Sequence, residues 1–143
     1  MNVNLIRVFL GKIDKMFPTP LSEKQDLEQY ANKLIEKATL CAVIEEGEIF
    51  SLVAGYTENV IENKAYISIV ASRTEAQGKG YASKLIRDFI DICKDKDLDA
   101  VHLYTDRCNT KALEMYRKIG FQKLMLDNEQ RKQDVHLIYY IKD

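Results

Sequence analysis

The sequence predicts an α+β domain in which about four amphipathic helices flank a mixed, mostly antiparallel sheet, and three observations lead there. Apolar residues recur at three- and four-residue spacing in four separated segments. Short β-type runs lie between and after them, bounded by polar or glycine-containing turns. No repeat, low-complexity tract or Pro/Gly/Ser-rich linker divides the 143 residues, so one domain over 1–143 is expected. A chain of that length buries roughly two thirds of its unfolded surface.

Leu5, Ile6, Phe9, Leu10, Ile13, Met16 and Phe17 trace one helical face, predicting a helix over 4–16 that Pro18 and Pro20 stop. Ser22 then stands as an N-cap with Gln25 three residues on, a capping box that opens a second helix. Its buried face is Leu27, Tyr30, Ala31, Leu34 and Ile35. From Ala38 the period changes, and 38–44, 48–56 and 64–71 read as three antiparallel strands. A third helix starts near Lys79 and turns Tyr81, Leu85, Ile86, Phe89, Ile90 and Cys93 inward. Its Lys84, Arg87, Asp88 and Asp91 have the spacing of a solvated, salt-bridged face. Residues 100–105 read as a strand. A fourth helix over 109–119, with Ala112, Met115, Tyr116 and Ile119 inward, ends at Gly120 as a left-handed residue. Strands over 121–126 and 135–141 close the chain. The strand–helix–strand unit at the centre should be parallel with a right-handed crossover.

The charges nearly cancel, 21 Lys+Arg against 22 Asp+Glu, so nothing electrostatic points to nucleic acid or an anionic membrane. Apolar stretches are short, and the N-terminus lacks a basic start followed by an apolar run, so a soluble cytoplasmic protein is expected. Cys41, Cys93 and Cys108 form an odd set without CxxC spacing, which speaks for reduced thiols and against a disulfide framework or structural zinc. His102 and His136 read as packed or surface residues, and no metal is expected.

Chemistry concentrates at Gln77, Gly78, Lys79, Gly80, Tyr81 and Ala82, between a strand and an amphipathic helix. The first amides of a helix have no intrahelical partners, and the helix dipole favours negative charge there by roughly 0.3–1 kcal/mol for each well-placed group. Gly78 and Gly80 let phosphate oxygens approach the main chain, and Ser83 adds a hydroxyl. The spacing fits neither a Walker A loop nor the dinucleotide GxGxxG fingerprint.

Gln77-x-x-Gly80-x-Ala82 resembles the Q/R-x-x-G-x-G/A signature of the GNAT superfamily of N-acetyltransferases. Asn109-x-x-Ala112-x-x-x-Tyr116-x-x-x-Gly120-Phe121 resembles the family's second segment, at the expected distance downstream. The resemblance covers about 48–124 and implies acetyl-CoA as cofactor. It also implies a sheet whose central parallel strands splay, so that pantetheine pairs with backbone groups that would here be Val70, Ala71 and Ser72. By the same resemblance the pyrophosphate falls to 77–83, and Tyr116 lies near the thioester sulfur, where a phenol protonates or hydrogen-bonds the leaving thiolate. Asn109 fits a cofactor contact and a helix N-cap equally. Cys108 invites a covalent acetyl-thiol scheme, but direct attack by a positioned amine needs no enzyme nucleophile.

Such enzymes often draw a base from the strand before the phosphate loop, but that strand here has no acid. Glu48, Glu58, Glu62 and Glu75 border it or its neighbours without a pattern to choose among them, and the base stays unassigned. Tyr56 and Tyr66 are candidates to line the acceptor pocket. The family usually opens with a strand, for which this sequence leaves only Met1 to Val3 before helical periodicity begins at Leu5, so the expectation is that the first strand is absent. The expectation is an N-acetyltransferase, monomeric or homodimeric, acting on a small-molecule amine by direct attack in a ternary complex. Acetylation of a protein N-terminus or lysine, and a non-catalytic acyl-CoA-binding domain, are the alternatives.

Overall fold

The computed structural model describes residues 1–125 and 133–142. Helix α1 (Val3–Ile13) is capped by Asn2, whose side chain accepts from the Leu5 amide, and runs into a 3₁₀ turn at Asp14–Met16. No strand precedes it among the described residues. The second helix divides in two, which corrects the capping box at Ser22. Helix α2 (Leu21–Lys24) is a single turn, Gln25 is extended, and Asp26 starts α3 (Leu27–Lys37) with its carboxylate accepting from the Gln29 amide. Ser22 instead donates its amide and hydroxyl to the Asp14 carboxylate at 2.8 and 2.6 Å. A charged acceptor makes stronger bonds than a neutral cap, and these bonds hold the Asp14 carboxyl below its ordinary pKa.

Strands β1 (Thr39–Glu45), β2 (Glu48–Tyr56) and β3 (Lys64–Ser72) form an antiparallel meander. Helix α4 (Tyr81–Asp95) carries the chain to β4 (Ala100–Asp106), and α5 (Thr110–Ile119) leads to β5 (Gln122–Lys123) and β6 (Asp134–Tyr140). The sheet order is β1–β2–β3–β4–β6–β5, with β3–β4 parallel across α4 and the other pairs antiparallel. Strand β5 is shorter than the 121–126 expected, although the Leu124 amide adds a bond to the His136 carbonyl at 2.8 Å. Leu126 lies outside the described residues. None of the described helices is long and apolar enough to cross a membrane.

Two cores lie on opposite faces of the sheet. One holds Ile86 and Phe89 of α4 and Tyr116 of α5 against Val53, Ile67 and Leu103. The other holds Phe9, Leu10 and Leu34 of α1 and α3 against Leu52, Ala54 and Ile69. Ile67 and Ile69 thus face opposite ways although they are two residues apart. The register explains it: Gly55 pairs with Ile67 and Ala54 with Ile69, so Ser68 is an extra residue, a β-bulge. Ser68 and Tyr30 of α3 share a hydrogen bond at 2.5 Å.

Gly55 faces this bulge, and a Cβ there would stand 2.6 Å from the Tyr66 carbonyl oxygen and 2.7 Å from Phe89 Cζ. Gly55→Ala is therefore expected to lower stability by about 1–3 kcal/mol through overpacking. A urea titration should show a lower midpoint at unchanged slope.

Candidate active site

Strand β3 stays paired with β2 as far as Ser72, but it pairs with β4 only at Lys64↔Ala100, Ala65↔Val101 and Tyr66↔His102. The two parallel strands part immediately before the bulge at Ser68. A bulge bends its strand and increases local twist, which accounts for the divergence. Residues 67–72 thus have no strand partner on the β4 side among the described residues, and a gap opens there. Val70, Ala71 and Ser72 stand along it, partly buried. The Ser72 hydroxyl is tied to Ser51 at 2.7 Å, which steadies this wall.

Past the gap a 3₁₀ turn (Thr74–Ala76) leads into the glycine segment. Gly78 and Gly80 both take φ +79°, a left-handed conformation that other residues enter at a cost of roughly 1–2 kcal/mol. Gly80 is the N-cap of α4 and supplies no side-chain cap. The first ladder bond runs from the Lys84 amide to the Gly80 carbonyl at 3.1 Å, so the amides of Tyr81, Ala82 and Ser83 stand ahead of the ladder. A Cβ built on Gly78 or Gly80 would meet nothing within 4 Å, so the space beside these two glycines is open. The left-handed Gly80 also explains why α4 starts two residues later than Lys79.

The side chains here serve varied ends. Gln77 Nε2 donates back to the Ser72 carbonyl at 3.4 Å, tying the turn to the end of β3. The Tyr81 hydroxyl donates to Glu45 at 3.0 Å, a bond that raises its pKa, and the Lys79 ammonium lies 6.0 Å from the Tyr81 ring centroid. Lys84 and Asp88 form the expected surface pair at 2.7 Å. Ser83, Arg87, Lys111, Met115 and Lys118 line an open cleft between α4 and α5.

Tyr116 is 4% exposed and packs edge-on against Phe121 with centroids 5.5 Å apart. Its carbonyl accepts from the amides of Gly120 and Phe121 at 3.1 and 3.0 Å, with Gly120 at φ +124° ending the helix as the sequence predicts. Val70 and Leu103, from the strands on either side of the gap, belong to the same cluster. Burial pushes the Tyr116 phenol well above its ordinary pKa, so it is a hydrogen-bond donor at neutral pH. Asn109 is the N-cap of α5, its Oδ1 accepting from the Ala112 amide at 3.2 Å, which leaves its NH₂ as the side-chain group it can offer a ligand. Cys108 is exposed, whereas Cys41 and Cys93 are buried thiols with raised pKa values, Cys93 to about 12.

The glutamates considered for the base, Glu48, Glu58, Glu62 and Glu75, are each taken up in a surface ion pair. Glu48 meets Lys12 and Arg73, Glu75 meets Arg73, Glu58 meets Lys96 and Glu62 meets Lys64. The Lys12 bond lowers the pKa of Glu48; the backbone bond of Glu75 and its Arg73 partner lower that of Glu75, so both are weaker bases than usual. Tyr56 and Tyr66 face each other in register, and the Tyr56 hydroxyl is buried beside Ser68. The sequence treats the two histidines as isolated, whereas the structure places His102 Nδ1 2.9 Å from His136 Nε2. Only the β4–β6 register brings them together. No group of three or more His, Cys, Asp or Glu residues able to hold a metal occurs among the described residues.

Comparison with known proteins places this geometry. The model of the acetyltransferase (GNAT) family matches residues 9–121. A mycothiol acetyltransferase from Arthrobacter sp. is 42% identical over 57 residues, which are 40% of this chain and 18% of that protein. The chain thus matches less than a fifth of that relative's length. Among solved structures, the PaiA N-acetyltransferase of Thermoplasma acidophilum in complex with coenzyme A superposes with a TM-score of 0.71 at 17% identity, covering 96% of this chain and 89% of that one. A ribosomal-protein-alanine N-acetyltransferase from Brucella melitensis superposes with a TM-score of 0.73 at 12% identity, covering 99% and 97%. With the family model spanning most of its length, the chain belongs to the GNAT family of acetyltransferases.

Proposed function

We propose that the protein is an acetyl-CoA-dependent N-acetyltransferase that acetylates a primary amine of a small molecule by direct attack in a ternary complex. One observation carries the proposal: the parallel strands part at Tyr66↔His102, and beyond their gap two left-handed glycines lead into a helix whose first amides stand ahead of its hydrogen-bond ladder. The amides of Gly78, Lys79, Gly80, Tyr81, Ala82 and Ser83 hold the pyrophosphate, helped by the dipole of the fifteen-residue α4. Gln77 braces the turn through Ser72. Backbone groups of Val70, Ala71 and Ser72 pair with the pantetheine arm, and the Asn109 NH₂ is the remaining polar contact at the α5 end. Bound acetyl-CoA supplies an activated acetyl thioester. Tyr116 donates its phenolic proton as a hydrogen bond to the sulfur as the thiolate leaves. The acceptor enters from the opposite face of the sheet.

The relatives include enzymes named for mycothiol and for a ribosomal protein, so the test spans both acceptor types. Purified protein is offered acetyl-CoA with a panel of small amines and N-terminal or lysine peptides, and products are read by mass. A small amine gaining an acetyl group, with matching thiol release, supports the proposal. Acetylated peptides alone assign a protein acceptor. Acetyl-CoA binding without any acetylated product assigns a binding module.

A further inference from the structure

We propose that Tyr30 is a positioning residue for the cofactor: through its bond to Ser68 it pins the β3 bulge and so holds the β3–β4 gap open for the pantetheine arm. The proposal rests on the acetyl-CoA reading above. Ser68 is the extra residue of β3, since Gly55 pairs with Ile67 and Ala54 with Ile69. It has no place in the β4 register either, where pairing ends at Tyr66↔His102. Ile67 belongs to the core under α4 and α5, Ser68 reaches Tyr30 of α3, and Ile69 belongs to the core under α1 and α3. Ser68 and Ile69 therefore point to the same face, and Val70 returns to the α4 side. A residue left out of the ladder disrupts it locally and loosens the strand. Here the side chain of that residue supplies a tie.

Tyr30 is a firm anchor for the tie. It is buried beside Ala31 and Leu34, and its amide donates at 3.0 Å to the carbonyl of Asp26, the residue whose carboxylate caps α3. A buried phenol hydroxyl needs a partner, and the Ser68 hydroxyl at 2.5 Å provides one. Burial pushes the Tyr30 phenol up to about 12, so it stays protonated and the bond persists across the neutral range. The Tyr56 hydroxyl is also buried beside Ser68, but Tyr56 belongs to β2, the strand that β3 already follows through the gap. Tyr30 ties the bulge to a separate element. With the bulge drawn toward α3, residues 69–72 keep to β2 and diverge from β4. A relaxed bulge would let β3 close toward β4, and pantetheine would have to reopen the gap on binding. Setting the gap beforehand removes that cost from the binding free energy.

The test compares two ligands by calorimetric titration: coenzyme A, and 3′-phosphoadenosine 5′-diphosphate, the same nucleotide without pantetheine. Tyr30→Phe keeps the ring and removes the hydroxyl, and is expected to weaken coenzyme A by about three- to tenfold. The nucleotide, which reaches the glycine turn but not the gap, should change by less than about twofold. Ser68→Ala should show the same selective loss, and the double variant should lose no more than either single one, because both changes remove one bond. In ligand-free Tyr30→Phe the ¹⁵N amides of residues 67–72 should shift although position 30 is 38 residues from Ser68, while those of 78–83 stay in place. A packing role confined to α3 would leave the 67–72 amides and the ligand preference unchanged. Equal losses with both ligands, no loss with coenzyme A, losses that multiply in the double variant, or unmoved 67–72 amides overturn the tether and leave the acetyltransferase proposal standing. A folded wild type that binds no coenzyme A overturns that proposal, and the tether with it.

Discussion

Gly80→Val is expected to weaken acetyl-CoA binding by about 10–100-fold, and Gly78→Val by a similar factor. Both positions sit at φ +79°, where a β-branched residue is strongly disfavoured. Valine at 80 would either hold that strain or rotate the backbone toward negative φ, and the rotation re-aims the amides at the start of α4. Its branched carbon would also project into open space, since a Cβ at 80 meets nothing within 4 Å. If the pyrophosphate occupies that space, the two effects add to roughly 1.4–2.8 kcal/mol, the equivalent of one to two decades in affinity. Calorimetric titration with acetyl-CoA measures it, with far-UV circular dichroism confirming that α4 persists. Unchanged affinity in both variants would contradict the pyrophosphate assignment.

Tyr116→Phe should lower kcat by about 10²-fold while leaving the KM for acetyl-CoA within about threefold, the pattern of an interaction made only in the transition state. Phenylalanine keeps the ring that packs against Phe121, so the hydroxyl alone is lost from the buried cluster. Burial has a second consequence, because it raises the phenol pKa. The protonated form, which is the donor, persists as pH rises past the ordinary phenol value near 10. The wild-type pH profile should therefore show no falling limb from Tyr116 below about pH 10. A limb at pH 8–9 that vanishes in the phenylalanine variant would show that a lower-pKa phenol does the work.

Much of this architecture is legible in the residues because each helix carries its own apolar period and each glycine turn its own φ requirement. The 77–83 turn and the Gly120 stop depend on local chemistry, and both appear where expected. Ser22 and Gln25 match a capping box locally, yet Asp14, eight residues earlier, offers Ser22 a charged acceptor that no three-residue pattern reveals. The bulge at Ser68 is equally hidden. Ala65, Ile67, Ile69 and Ala71 alternate without a break in sequence, and only pairing with Gly55 and Ala54 shows that the strand changes face between Ile67 and Ile69. That hidden change lies where the gap opens. The histidine pair has the same origin, since residues 34 apart meet through the β4–β6 register. Local chemistry thus marks the glycine turn, while long-range pairing builds the bulge, the gap and the histidine contact.

The most direct test of the central claim, that one ligand spans the glycine turn and the β3–β4 gap, is amide chemical-shift mapping of the ¹⁵N-labelled protein during titration with acetyl-CoA. The amides of residues 78–83 and of 67–72 should shift together along one saturation curve. Shifts in neither group, or in only one while saturation is reached elsewhere on the protein, would contradict it.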